Sequence, residues 1–309
     1  MKTDNENKGK LTTRGKTVLA SVLAVLALAS VLALAGCGSA ADAVKGAAGD
    51  AASTEAGQSQ ARTLEQIKQS GTINIGVFTD KAPFGYVDGN GTYQGYDVVF
   101  ANRLAQDLGV KASFVATDAA NRVPYLESNK VDVILANFTV TDERAQKVDF
   151  AEPYMKVSLG VVSPTSKSIT SVEALAGKTL IVTKGTTAET YFEKNHPDVT
   201  LQKYDQYADA YNALLDGRGD AFSTDNTEVL AWAKSNPGYT VGITSLGDAD
   251  TIAPAVHKGN DTVRDYINQE INSLASESFF HADYAQTLEP VYGDDVNVDD
   301  IVVEGGKVS

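Results

Sequence analysis

The chain has 309 residues, with 26 Lys and Arg against 40 Asp and Glu, a net charge of −14, 43% hydrophobic residues, one Cys and three His. One cysteine excludes an intrachain disulfide framework and a Cys-rich zinc site. The acidic balance excludes nucleic acid or an anionic membrane surface as the main partner, since both require clustered positive charge.

Five basic residues, Lys2, Lys8, Lys10, Arg14 and Lys16, precede an apolar run over 18–35 that ends in Leu34-Ala35-Gly36-Cys37. A basic stretch, an apolar stretch and small residues before a cut make a secretory signal. A permanent transmembrane helix is the other reading of such a length, but Ala and Ser make the run weakly hydrophobic, and the only cysteine marks its boundary. Residues 1–36 are therefore expected to be a signal peptide, whose removal takes the net charge from −14 to −17. Residues 37–61 are rich in Ala, Gly and Ser, carry no aromatic residue, and read as a flexible tether in which Gly46, Gly49 and Gly57 oppose a helix.

From Thr72 onward, Ile73, Ile75 and Val77 alternate as in a strand, and Asp88-Gly89-Asn90-Gly91 suits a hairpin turn. The spacing of Val99 or Phe100, Leu104 and Leu108 predicts a helix over 96–108, stopped by Gly109. Strand-like runs recur at 112–116, 131–136, 158–162, 179–183, 200–204 and 252–256, and helix-like runs at 123–128, 171–175, 188–195, 208–216, 227–236 and 262–276. Such alternation predicts an α/β architecture with mostly parallel sheets.

Ligands of such sheets sit where strands end and loops enter helices. Three segments fit. Asn137-Phe138-Thr139-Val140-Thr141-Asp142-Glu143-Arg144 follows a buried strand, and Arg144 either clamps a carboxylate with its planar fork or simply pairs with Asp142 or Glu143. Gly185-Thr186-Thr187 opens a helix, so its amides and hydroxyls make either an anion site or an ordinary Thr cap. Asp225 ends a strand and either receives an ammonium group or caps the next helix. Together they suit a zwitterion. Gly177-Lys178-Thr179 lacks the first glycine of a phosphate loop, no Gly-x-Ser-x-Gly is present, and His196, His257 and His281 have no metal-ligand spacing. No cofactor, metal or catalytic residue is expected, although the many carboxylates leave acid/base chemistry open.

Val131-Asp132-Val133-Ile134, then Thr139 to Arg144, then Val148-Asp149-Phe150-Ala151-Glu152-Pro153-Tyr154 resemble family 3 of the bacterial solute-binding proteins, which serve amino-acid ABC importers. The resemblance runs from Leu64 to Lys307. It is strongest to the cysteine-binding branch, through Leu135-Ala136-Asn137-Phe138-Thr139, Lys184-Gly185-Thr186-Thr187-Ala188, Ile252-Ala253-Pro254-Ala255-Val256 and the tail Asp299 to Lys307. Leu34 to Cys37 resemble the lipobox of bacterial lipoproteins, which implies that Cys37 is lipidated and anchors the protein to the membrane outside the cytoplasm.

The family implies a two-lobed periplasmic-binding-protein-like fold of type II with two hinge strands. Lobe 1 would comprise 62–155 and 253–309, and lobe 2 would comprise 156–252. It puts Arg144 and Thr139 on the ligand carboxylate, Thr186 and Thr187 beside it from lobe 2, and Asp225 on the ligand ammonium. Asn137, Asp80, Phe84 and Tyr154 would complete the pocket. Many relatives carry an aromatic residue where this chain has Ala119, which weakens a lysine, arginine or histidine ligand, and Arg122 leaves glutamate or aspartate open. The expectation is a monomeric receptor for a polar amino acid, cysteine first and glutamate, aspartate or glutamine as alternatives, delivering to an ABC permease. A dehydratase-like enzyme on the same fold and a surface antigen without a ligand are the other readings.

Overall fold

The computed structural model describes residues 60–308; the expected signal peptide, Cys37 and all but the last two residues of the expected tether lie outside the described residues. The fold is two-lobed and α/β. It opens with a helix over Leu64–Ser70 fixed by a capping box: the Thr63 hydroxyl accepts from the Gln66 amide, the Gln66 side chain accepts from the Thr63 amide, and Gly71 in the left-handed region ends it.

The first sheet has the strand order Lys111–Ala116, Thr72–Val77, Val133–Ile134, Ala255–His257 and Val148–Phe150. Its first three strands are parallel, and Ala255–His257 runs antiparallel to both of its neighbours. Ile73, Ile75 and Val77 are fully buried. The predicted helix forms over Tyr96–Leu108, burying Phe100, Leu104 and Leu108, and Gly109 ends it at φ +75°.

The second sheet runs Thr200–Tyr204, Thr179–Thr183, Ala221–Asp225, Met155–Pro164 and Tyr239–Ile252. Helices Thr187–Asn195, Tyr207–Leu215 and Asn226–Ser235 follow its strands within one or two residues of the sequence expectation. The expectation of mostly parallel sheets is corrected: in each of these two sheets the pairings divide evenly between parallel and antiparallel, and a small third sheet of Asp80–Lys81, Gly85–Val87 and Tyr93–Gln94 is antiparallel. The physical reason lies in the connections. Helical crossovers return the chain parallel, but the strands that pass from one lobe to the other leave each sheet and come back in the opposite sense.

That passage is made twice, side by side. The Ala151 amide donates to Pro254 O at 2.8 Å and the Tyr154 amide to Ile252 O at 3.0 Å, which joins the Val148–Phe150/Ala255–His257 pair to the Met155–Pro164/Tyr239–Ile252 pair. The tail lies along the same crossing: Lys156 N donates to Ile301 O, Val303 N donates to Tyr154 O, and Met155 bridges Val302. Tyr154 stacks on Phe280 and Phe100 meets Phe280 edge to face in the lobe 1 core, while Leu180, Val182 and Phe192 fill that of lobe 2. A third cluster joins the lobes, with Phe78 and Phe138 of lobe 1 against Tyr207 and Phe222 of lobe 2. Phe78 and Tyr207 meet edge to face, 5.4 Å between ring centres.

Candidate functional site

The strands of both sheets end at the lobe boundary, and there the sequence concentrates its polar residues. Asn137 follows the buried run 131–136 and turns the chain at φ +44°. That conformation is uncommon for a residue with a side chain. Asp97, in the first turn of the Tyr96–Leu108 helix, holds it by accepting from the Asn137 amide at 2.8 Å, and also accepts from the Tyr154 hydroxyl at 2.6 Å. Burial raises the Asp97 carboxyl to about 6 against these bonds.

Between the lobes lies Lys81, in the short strand Asp80–Lys81, with 1% of its surface exposed. Its ammonium donates to Asn137 Oδ1 at 2.8 Å, to Asp225 Oδ2 at 3.1 Å and to the Tyr207 hydroxyl at 3.2 Å, and lies 3.0 Å from Glu228 Oε2. Burial alone would lower Lys81, but the Asp225 and Glu228 carboxylates outweigh it and hold the group above its ordinary value, so it is charged. Asp225 stands at the cap position of the Asn226–Ser235 helix yet makes no capping bond; its carboxylate faces the cleft instead. Glu228, one turn on, accepts from Thr224 and Tyr211, and burial raises it to about 7.

Beyond this cluster lie two guanidinium groups that flank the Phe138 ring, Arg122 at 4.4 Å and Arg144 at 4.9 Å. Arg122 donates to Ala119 O, Ala136 O, Asn137 O and, across the lobes, Gly185 O. Arg144 donates to Thr139 O at 2.8 Å and to the same Gly185 O at 2.8 Å. Among the described residues neither meets a carboxylate within ion-pair distance. Arg122 has thus committed nearly all its N–H groups to backbone carbonyls, whereas Arg144 keeps Nε and one hydrogen on each terminal nitrogen. Burial and the neighbouring Arg122 push Arg144 down to about 9. It opens onto a cavity of about 720 Å³ lined also by Leu159, Gly185, Thr187, Tyr191 and Asp250.

The remaining expected site residues divide. Arg144 is not paired with Asp142 or Glu143. Thr139 offers its carbonyl to Arg144, and Thr187 lines the cavity, while the Thr186 hydroxyl is used locally, donating to Thr183 O and accepting from the Glu189 amide as a helix cap. Asp80 accepts across the cleft from the Ala208 amide at 3.1 Å, supplying the Tyr207–Leu215 helix with a cap that its own sequence lacks. Phe84 is fully buried, 5.9 Å beneath the Lys81 ammonium. Tyr154 lies in the lobe 1 core and bears on the cleft only through Asp97 and Asn137. Lys81, Asp97, Glu228 and Tyr207 are cleft residues that the sequence did not single out. A clue for Lys81 was its place between Phe78 and Phe84, an apolar setting for a lysine.

Two expected outcomes follow from these contacts. A Cβ on Gly185 would lie 2.6 Å from Ala120 Cα, and its φ is +74°, so lobe 2 reaches lobe 1 here only through a residue without a side chain. Gly185→Ala is expected to weaken ligand binding at least about tenfold by holding the lobes apart, read by calorimetry. Asp97, raised from 3.8 to about 6, takes up its proton more readily folded than unfolded, so its ionisation costs stability as pH rises through that window. Urea unfolding at pH 4 and pH 7 should show Asp97→Asn gaining on the unaltered protein at the higher pH, by on the order of 2 kcal/mol.

Residues 73–286 match the family of bacterial extracellular solute-binding proteins, family 3. The chain is 30% identical to the ABC transporter glutamine-binding protein of Bacillus subtilis, over 86% of this chain and 96% of that one. It is 53% identical to the crystal structure of a solute receptor for L-cysteine from Neisseria gonorrhoeae, with a TM-score of 0.77 over 79% of this chain and all of the other. The cysteine-binding protein of Campylobacter jejuni is similar at 53% identity and a TM-score of 0.77, over 78% of this chain and 98% of that one.

Proposed function

The chain belongs to family 3 of the bacterial extracellular solute-binding proteins, and from that premise we propose that it captures a zwitterionic amino acid, L-cysteine first, between Arg144 and Asp225. Proteins of this family bind amino acids outside the cytoplasm and deliver them to ABC permeases. The observation that carries the reading is the separation of charge in the cleft. Arg144 is a half-buried cation with donors to spare and, among the described residues, no carboxylate within ion-pair distance, and Asp225 is a buried carboxylate that forgoes its helix cap to face the cleft. A partly desolvated guanidinium without a counterion costs free energy that a ligand carboxylate returns. A ligand ammonium can join Lys81 on Asp225.

Cysteine is favoured over glutamine by identity, 53% against 30% in the relatives named for each, and by the small Ala119, where no aromatic ring awaits a long side chain. It is favoured over glutamate or aspartate because Arg122, the second arginine that an acidic side chain needs, is committed to four carbonyls. Lipidation of Cys37 after removal of residues 1–36 would tether the receptor to the membrane, a reading that rests on Leu34-Ala35-Gly36-Cys37 and the basic and apolar stretches before it. The test is a thermal-shift screen of the purified protein against the common amino acids, with cysteine kept reduced and cystine included. Ligand at 100-fold excess over Kd should add about 2.7 kcal/mol of stability. No response to any amino acid would overturn the receptor reading, and a larger response to glutamine or glutamate than to cysteine would overturn the choice of ligand.

A further inference from the structure

We propose that Lys81 is the residue that excludes cationic amino acids, an inference that rests on the receptor reading above. Its ammonium is a tethered cation already seated on Asp225 and Glu228, the two carboxylates that a positively charged ligand side chain would seek. Phe78, Phe84 and Tyr207 close around it, 4.6 to 5.9 Å from ring centre to nitrogen, so it lies in an apolar wall where charge is poorly screened. Lys81 and Arg122, both buried, and the half-buried Arg144 put three cations in one cleft. An α-amino acid with a neutral side chain adds no net charge to them. Arginine, lysine or ornithine adds a fourth cation, and the carboxylates around Lys81 have no place for it: Asp225 and Glu228 hold Lys81, with Asp225 also taking the α-ammonium that every amino acid brings, Asp97 holds Tyr154 and the Asn137 amide, and Asp80 holds the Ala208 amide. Asp250 at the cavity edge is half-buried and faces Arg144.

Lys81 also spans the lobes, from Asn137 to Asp225, so removing it loosens closure for every ligand alike. Selectivity, the ratio of affinities, cancels that common loss and isolates the charge. The experiment is calorimetry of the purified protein with cysteine, glutamine, ornithine, lysine and arginine, repeated on Lys81→Met. The unaltered protein should prefer its best neutral ligand over each cationic one by at least about 100-fold, and Lys81→Met should shrink that ratio at least tenfold. An unchanged ratio in a variant that still melts cooperatively overturns the proposal. If Lys81→Met does not fold, the unaltered protein still decides, because ornithine binding as tightly as glutamine, its near-isostere, overturns it. A protein that binds neutral and cationic amino acids equally well sinks only the role of Lys81; one that binds no amino acid sinks the receptor reading and this inference with it.

Discussion

Replacing Arg144 by alanine is expected to lower amino-acid affinity by about 1,000-fold while leaving the protein as stable as before or slightly more so. The two halves of that expectation come from one geometry. Arg144 lies half-buried near a second guanidinium, Arg122, and is pushed down to about 9 by desolvation and by that neighbour. A charge held under such conditions destabilises the fold that holds it. Its bonds to Thr139 O and Gly185 O are those of a donor waiting in place, not of an ion pair. Removing it relieves the repulsion with Arg122 but takes away the fork that meets a ligand carboxylate, and a bound carboxylate left unpaired in a dry cleft costs about 3–5 kcal/mol. The bond to Gly185 O also joins lobe 1 to lobe 2, so part of the loss falls on closure. Calorimetry and a thermal melt on the same variant check both halves. Retained affinity would mean that the carboxylate sits elsewhere; a collapsed melting temperature would make Arg144 a structural residue.

The sequence is most informative where one local rule acts alone. The Tyr96–Leu108 helix is legible because Phe100, Leu104 and Leu108 recur at helical spacing and Gly109 stops it. Tyr239–Ile252 is not legible as a strand: register shifts after Val241, Ile243 and Leu246 break the alternation of burial, and Gly247 at φ +76° reads as a loop residue. The helix Phe279–Thr287 escapes notice for a related reason, since its apolar residues do not line one face. In the site, Arg144 and Asp225 follow strands whose buried runs are plain in the sequence. Lys81, Glu228 and Asp97 become site residues only when strands far apart in the chain are brought together, Lys81 meeting Asp225 across 144 positions. Arg122 shows the reverse: its motif suggests a ligand contact, but the backbone of Ala136, Asn137 and Gly185 claims its hydrogens, and only the tertiary structure carries that information.

Asp225→Asn separates ligand recognition from the Lys81 cluster. The amide keeps the shape of the carboxylate and can still accept from Lys81, and Glu228 at 3.0 Å keeps the Lys81 ammonium neutralised. The fold should therefore survive. A ligand ammonium loses the anion proposed to receive it, Asp97 and Asp80 being bonded elsewhere, and a charge-assisted bond in a buried site is worth roughly 3–4 kcal/mol to binding when its partner is truncated. Affinity for cysteine should fall at least several hundredfold. A ligand without the amine, 3-mercaptopropionate, supplies the control: it should bind the unaltered protein weakly, and Asp225→Asn should cost it little further. The coupling between the two changes, measured as a double-mutant cycle, is then the ammonium–Asp225 interaction itself. Additive losses would mean that the amine is held by another group and that Asp225 serves only to keep Lys81 in place.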